Sequence, residues 1–111
     1  MNVALVEDKE SLRLIEKFMG YPNNFMSPII TWSNVMPIIP KLKMAADELW
    51  EKNEDCEPLK LKIDVWDNEV KWVDTETGHY PFPIYTSSDG DLIYNVVMSI
   101  IDFINWYNAK Q

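Results

Sequence analysis

The chain has 111 residues and a net charge of −8, with 18 acidic against 10 basic residues. A hydrophobic content of 47%, including five tryptophans, is enough for the core of one domain spanning residues 1–111 and argues against a largely disordered chain. Because nucleic-acid binding needs clustered Lys and Arg to displace counterions, and Arg13 is the single arginine, the composition disfavours a nucleic-acid partner.

The N-terminal stretch "MNVALVEDKE" has no basic region and only four consecutive apolar residues. It lacks the pattern of a signal peptide, and we expect a cytoplasmic protein. Residues 3–6 fit either a short strand or an extension of the helix that follows. That helix is predicted from Asp8 to Met19, because Asp8 can cap it and Gly20 and Pro22 end it.

A second helix is predicted after a short extended piece at Ile29-Ile30, with Thr31 or Ser33 as its cap. Apolar residues then recur three or four positions apart, the spacing of one helix face: Val35, Ile38, Leu42, Ala45 and Leu49. Pro37 fits near the start of this helix, whereas Pro40 removes a backbone hydrogen bond and is expected to kink it. The segment "EKNEDCEP" ends the helix as a solvated acidic loop, and its lone cysteine excludes an intrachain disulfide.

The segment "LKLKIDVWDNEVKWV" alternates apolar and polar residues on both sides of Asp67-Asn68, which predicts an antiparallel β-hairpin with a two-residue turn. In that register Val65 faces Val70 on the apolar side. On the polar side Asp64 meets Lys71, an opposite-charge pair. The apolar face is expected to pack on the helices.

The segment "DTETGHYPFPIYTSSDGD" is predicted to be a long loop with an edge strand around Ile84-Tyr85. In the helix that follows, polar residues recur at intervals of four, three and three: Asn95, Ser99, Asp102 and Asn105. One polar stripe on an otherwise apolar helix is typical of the central helix of a small domain, and it excludes a membrane anchor. The predicted fold class is therefore α+β: an antiparallel sheet of two to four strands packed with three helices, the C-terminal helix being central.

Three segments, "LIEKFMGY", "TWSNVMPIIPKL" and "YNVVMSIIDFINWYN", carry a family resemblance. The chain resembles small uncharacterised proteins of phage and prophage type, which have FMG(W/Y), WxxxMP and C-terminal YNxVVxxIxxFIxWYN-like segments. It is also loosely similar to the phage ABA sandwich proteins, in which helices cover an antiparallel sheet. The matching residues are Phe18, Met19, Gly20, Trp32, Met36, Pro37, Tyr94, Asn95, Trp106 and Tyr107. The resemblance implies this fold and a phage-like genetic setting but no catalytic residue, and the chain departs from the pattern at Pro40 and in "HYPFPIY".

The only histidine, His79, lies close in sequence to Ser87, Ser88 and Asp89, the residue types of a nucleophilic triad. Neither a nucleophile elbow nor a glycine-rich oxyanion loop accompanies them, so an exposed turn histidine is the favoured interpretation. Asp89 and Asp91 are too few to form a calcium loop, and capping of the last helix explains them better. We therefore predict no catalytic residue, no metal site and no cofactor.

Tyr80, Phe82 and Tyr85 are interleaved with two prolines that stiffen the loop. Aromatic side chains on a pre-ordered loop lose little entropy on binding and are common at interfaces. Trp106, at the end of the last helix, falls near the polar stripe. These four residues either fold back over the core or form a binding surface, and we take them as candidate binding residues.

Three functional hypotheses remain. The first is a small acidic non-catalytic binding protein of phage type, which acts on a host protein or associates with itself. The alternative is a protein that sequesters a small ligand such as a nucleotide, with phosphates held by some of Arg13, Lys60, Lys62 and Lys71. A small hydrolase that uses His79 or paired acids is the least favoured.

Overall fold

Four strands and four helices follow one another along residues 3–52 and 58–110, the parts of the chain that the computed structural model describes. In chain order they are β1 (Val3–Leu5), α1 (Lys9–Met19), β2 (Ile29–Thr31), α2 (Trp32–Val35), α3 (Ile38–Lys52), β3 (Leu59–Asp64), β4 (Glu69–Asp74) and α4 (Leu92–Lys110). Since α2 is a single turn, three long helices pack with short antiparallel strands, which confirms the predicted α+β class. Of the predicted acidic loop at residues 51–58, Glu51 and Lys52 are the last residues of α3, and residues 53–57, which include Cys56, lie outside the described residues.

Helix α1 begins and ends where the sequence predicts. Asp8 is its N-cap, and the Asp8 Oδ1 atom accepts a hydrogen bond from the Glu10 backbone N–H at 3.1 Å. Gly20 follows the last residue in the left-handed region, at φ 76°, and its N–H donates to the Lys17 carbonyl. Glycine adopts this conformation at little cost because it has no Cβ.

The N-terminal stretch is a strand and not part of α1. β1 pairs antiparallel with β2, so that Ala4 lies opposite Ile30 and Leu5 lies opposite Ile29. Ala4 and Ile30 are buried, whereas Leu5 and Ile29 are more than half exposed on the outer face. The described strands form two separate two-stranded sheets, β1–β2 and β3–β4, where the sequence alone leads us to expect one.

The second predicted helix is divided at Met36 and Pro37 into α2 and α3. The predicted kink at Pro40 is wrong, because Pro40 is the third residue of α3, where a backbone N–H has no acceptor within the helix. The missing N–H of Pro37 likewise falls between the two helices. The predicted apolar face is confirmed, since all five of its members are buried: Val35, Ile38, Leu42, Ala45 and Leu49.

The β3–β4 hairpin forms, but its register differs from the prediction by two residues. Ile63 lies opposite Val70, and Leu61 lies opposite Trp72. Because side chains alternate between the two faces with a period of two, the paired residues keep their predicted faces. The inward face of the hairpin therefore packs on α3 and α4 as expected.

The Asp64 side chain explains the shift in register. Its Oδ1 atom accepts hydrogen bonds from the backbone N–H groups of Trp66 at 3.0 Å and Asp67 at 3.1 Å. This local turn ends the strand before Val65 would pair, because the side chain competes with the ladder for the backbone. The loop has four residues, 65–68, and Asn68 closes it at φ 53°. The predicted pairing of Asp64 with Lys71 is therefore wrong.

The predicted edge strand is a single bridge to β4. The Val70 N–H donates to the Tyr85 carbonyl at 2.9 Å, and the Tyr85 N–H donates back to the Val70 carbonyl at 3.0 Å. Since β3 occupies one edge of β4, this bridge places the loop along the other edge. The loop is thereby fixed beside the residues that form the hairpin.

Helix α4 is central and packs against β1, β4, α1 and α3. Several of its apolar side chains are fully buried: Val96, Ile100, Phe103 and Ile104. Asn95 and Ser99, from the predicted polar stripe, are buried as well. The Trp72 Nε1–H donates to the Ser99 carbonyl at 3.0 Å, so this part of the stripe faces β4. Among the described residues, no helix combines the length and the apolar character that a membrane crossing requires.

Candidate functional site

Phe82 and Trp106, two of the four candidate binding residues, contact each other over the core. Their ring centroids are 5.9 Å apart, with the planes at 69°. Phe82 also meets the edge of Trp72 at 6.4 Å, and Trp106 lies 5.6 Å from Phe103. Edge-to-face contacts of this kind are favourable beyond the area they bury. The loop therefore folds back over the core at Phe82, and Trp106 is only partly exposed.

Tyr85, the third candidate, is tied to helix α4. Its hydroxyl donates a hydrogen bond to Asp102 Oδ2 at 2.7 Å. Burial raises the pKa of Tyr85 above its ordinary value of 10.0, and the adjacent carboxylate raises it further because a phenolate would be repelled there. Burial also raises the pKa of Asp102, an effect that the hydrogen bond from Tyr85 partly offsets.

Tyr80, the fourth candidate, lies on the outer face of the hairpin and is half exposed. The Lys71 Nζ atom sits 4.9 Å from the centroid of its ring, a cation–π geometry. Lys71 also donates to Glu69 Oε1 at 2.6 Å, and this hydrogen bond raises the pKa of the lysine. The four aromatics thus have different surroundings, and their role in binding stays a prediction.

Asn95 joins three separate pieces of backbone near the start of α4. Its Nδ2 atom lies 3.0 Å from the Asn68 carbonyl, 2.9 Å from the Thr86 carbonyl and 3.2 Å from the Gly90 carbonyl. The Asn68 side chain also donates to the Gly90 carbonyl at 2.8 Å. These bonds fix the base of the hairpin loop and the end of the long loop to one buried side chain.

The hairpin tip, defined as residues 64–69, carries the most exposed large apolar side chain among the described residues. Trp66 is 97% exposed, and its neighbour Val65 is 69% exposed. Acidic residues flank them: Asp64, Asp67 and Glu69. A tryptophan this exposed on an ordered loop presents a large apolar surface to water with acidic groups around it.

A cleft of about 580 Å³ opens between α1, α3 and the end of α4. We call it the helix cleft, and it is lined by Lys17, Phe18, Lys41, Met44, Ala45, Glu48, Tyr107 and Asn108. The Lys41 Nζ atom lies 5.7 Å from the centroid of the Phe18 ring, and Phe18 meets Tyr107 edge-to-face at 5.7 Å. Met44 is 62% exposed at its wall. The helix cleft is therefore aromatic and apolar, with two lysines against one glutamate.

The cations of the predicted phosphate site are distributed over two surfaces. Lys62 lies directly opposite Lys71 on the outer face of the hairpin, and Lys60 points to the same face. Arg13, on α1, lines a separate crevice of about 150 Å³ together with Lys9. The structure thus gathers the three lysines but assigns the arginine to a different surface.

His79 is exposed in the loop just after the turn at residues 75–77. Its carbonyl accepts the Asp74 N–H at 2.8 Å, and its own N–H donates to Thr77 Oγ1 at 3.3 Å. The Asp89 carboxylate, its expected partner in a triad, accepts the Thr86 N–H at 2.8 Å. Within residues 3–52 and 58–110, no group of three or more His, Cys, Asp or Glu side chains is placed to hold a metal ion.

No protein-family model, curated protein or solved structure matches this chain. The resemblance to phage and prophage proteins consequently stays a prediction. Among the surfaces of the described residues, the hairpin tip has the most exposed large apolar side chain, and the helix cleft is larger than the pocket between α3 and β3 and the crevice beside Arg13.

Sequence reasoning missed both of these surfaces. The alternation of "LKLKIDVW" assigns Val65 and Trp66 to a strand. The signal against this was Asp64, because an Asp side chain can accept hydrogen bonds from the backbone N–H groups two and three residues later and so form a turn. The helix cleft depends on how α1, α3 and α4 converge. That convergence leaves no pattern in the sequence of any one helix.

Proposed function

We propose that this protein is a non-catalytic binding protein that docks onto another protein through its hairpin tip. The observation that carries the proposal is the 97% exposure of Trp66 on a loop held by the hydrogen bonds that Asp64 accepts and the one that Asn68 donates. Tryptophan is enriched among the residues that dominate binding energy, at about 2 kcal/mol or more each. An ordered loop also loses little conformational entropy when it binds.

The residues around Trp66 define the kind of partner. Asp64 and Asp67 are close neighbours of Trp66 in the sequence, Glu69 at the edge of the tip pairs with Lys71, and the whole chain has a net charge of −8. The complementary surface is an apolar pocket with a basic rim. In the phage-like setting that the family resemblance implies, this would be a basic host protein in the bacterial cytoplasm. Tyr80 and Trp106 would contribute secondary contacts through the exposed parts of their rings.

Substitution of Trp66 by alanine tests the proposal. We expect Trp66→Ala to abolish capture of bacterial proteins by the immobilised chain, because the apolar anchor is removed while Asp64 still forms the turn. Trp50→Ala is the matched control, since Trp50 is 37% exposed on α3, outside both the hairpin tip and the lining of the helix cleft. Circular dichroism checks that both variants fold. Equal capture by the wild type and both variants would refute the proposal.

Nucleotide binding in the helix cleft is the second candidate function. It is favoured by the aromatic rings of Phe18 and Tyr107 beside Lys17 and Lys41, a set able to stack on a base and hold a phosphate. A ligand bound only by the native chain raises its melting temperature. We expect a nucleotide at ten times its Kd to raise Tm in the wild type and to leave a Lys17→Gln/Lys41→Gln variant unchanged. The absence of a shift at millimolar nucleotide would exclude this function.

A further inference from the structure

We infer that the partner of the hairpin tip includes a second copy of this chain: the tip of one copy docks into the helix cleft of the next. The inference rests on the proposed function, since it takes the tip to be a docking element. The receptor surface is the helix cleft of one copy, and its occupant is the hairpin tip of another.

The two surfaces have complementary chemistry. The hairpin tip offers one exposed indole with Asp64 and Asp67 close to it in the sequence, whereas Glu69 at its edge is already paired with Lys71. The helix cleft offers aromatic and apolar walls with Lys17 and Lys41 among its lining residues. An indole inserted there would meet Phe18, Met44 and Tyr107, while the tip carboxylates approach the two ammonium groups.

The size of the helix cleft suits this occupant. Its volume of about 580 Å³ lies within the range of pockets that bury a drug-sized molecule, roughly 300–1,000 Å³. It can therefore take the Trp66 indole together with part of Val65. A pocket between α3 and β3, lined in part by Lys43 and Lys60, is smaller at about 380 Å³, and the crevice beside Arg13 is smaller again at about 150 Å³.

One chain cannot fill its own helix cleft. The hairpin tip is anchored through Asn68 to Asn95, near the start of α4, whereas the cleft is lined by Tyr107 and Asn108, near its end. Twelve residues of helix separate Asn95 from Tyr107, roughly 18 Å at a rise of about 1.5 Å per residue. The contact is thus head-to-tail, and in a joined pair one copy keeps a free cleft while the other keeps a free tip. Such a contact forms a ring or an open filament.

The association should be weak and reversible. A loop that inserts two apolar side chains buries less than the roughly 1,200 Å² at which stable interfaces begin. Electrostatic repulsion between two copies of net charge −8 also opposes association. At an ionic strength near 0.15 M the Debye length is about 8 Å, so this repulsion is largely screened at longer distances. We therefore expect self-association at hundreds of micromolar protein in physiological salt.

Sedimentation velocity of the full chain tests the inference. The wild type is expected to show a concentration-dependent rise in sedimentation coefficient, which Trp66→Ala and Lys17→Gln/Lys41→Gln each abolish. Trp50→Ala and Lys43→Gln/Lys52→Gln are the matched controls, and both should associate like the wild type. The second control removes two exposed lysines outside the cleft, so its net charge equals that of the cleft variant.

Mixing the two defective variants gives the sharpest test. Trp66→Ala retains its cleft and Lys17→Gln/Lys41→Gln retains its tip, so a head-to-tail contact predicts a dimer of one copy of each and nothing larger. A wild type that stays monomeric up to 1 mM, or a mixture that stays monomeric, would overturn the inference. Loss of association in the control variants would overturn it as well. Capture of bacterial proteins that depends on Trp66 is measured separately, so the proposed function can stand if self-association fails.

Discussion

Asp102 accepts a hydrogen bond from the Tyr85 hydroxyl, and its carboxylate is partly buried, so its charge is poorly solvated. Burial raises the pKa of Asp102 above 3.8, so the carboxylate takes up a proton more readily in the folded state than in the unfolded chain. The stability gained from protonation is fully present below the unfolded pKa and is lost as pH rises through the raised pKa. At neutral pH the charge of Asp102 therefore acts against the fold, even though its oxygen accepts a useful hydrogen bond.

Asp102→Asn separates the charge from the hydrogen bond. The amide oxygen can still accept from Tyr85 and carries no charge, so the free energy of unfolding at pH 7 should not fall below that of the wild type. Tyr85→Phe should lower it by about 1 kcal/mol, the cost of one lost hydrogen bond. Urea denaturation of both variants measures the difference. An Asp102→Asn variant as unstable as Tyr85→Phe would show that the charge itself is needed.

Asp74 has the opposite dependence on pH. Its burial alone would raise its pKa, but hydrogen bonds donated by Glu76 and Thr77 outweigh burial and lower it. The stability that this carboxylate contributes is present above the unfolded pKa near 3.8 and is lost as pH falls through the lowered value. Asp74→Asn should therefore destabilise the fold at pH 7, and the difference should vanish in strong acid. Unfolding followed from pH 2 to pH 7 checks this, and a difference that is the same at every pH would contradict it.

At the scale of elements, the hairpin shows what a sequence pattern can and cannot predict. Alternation correctly assigned the two strands and their faces, because the period of two follows directly from strand geometry. The register depended on one side chain, Asp64, which competes with the ladder for backbone N–H groups. The effect of Pro37 and Pro40 on the second predicted helix is a similar case. Helical periodicity predicted the apolar face, but the break between α2 and α3 fell at the other proline.

Removal of the Asp64 acceptor should loosen this loop. Asp64→Ala is expected to destabilise the protein by about 1 kcal/mol, as for other lost side-chain caps. Asp64→Asn retains a carbonyl oxygen at the same place and should cost less than half as much. Urea denaturation compares the two variants. Equal losses would mean that the negative charge and not the hydrogen-bond geometry shapes the tip.

At the scale of the whole molecule, Asn95 holds together parts that lie far apart in the chain. Its three carbonyl partners come from the hairpin and from the long loop, and the side chain is fully buried. The sequence places Asn95 on a polar stripe, which is correct, but it does not reveal that the part of the stripe at Asn95 and Ser99 is covered. Periodicity locates a residue on a helix face, whereas only the packing of other elements decides whether that face meets water.

Asn95→Ala should leave buried carbonyl groups without donors. We expect a loss of about 2–4 kcal/mol in the free energy of unfolding, because each unsatisfied buried group costs about 1–3 kcal/mol. Asn105→Ala, on the same helix but exposed, is the control and should change stability by less than about 0.5 kcal/mol. Chemical denaturation measures both variants. Similar losses in the two would refute the structural role of Asn95.

Trp66 can serve as an intrinsic fluorescence probe, because its surroundings differ from those of the buried Trp72. Trp72 is stacked on Phe103 at 4.6 Å and is 2% exposed, whereas the indole of Trp66 is almost fully hydrated. The emission lost in Trp66→Ala should be red-shifted and readily quenched by acrylamide, a neutral quencher that the acidic surface does not repel. Any molecule that covers this indole must shift that emission to the blue and protect it from the quencher. Engagement can therefore be followed in solution without a label.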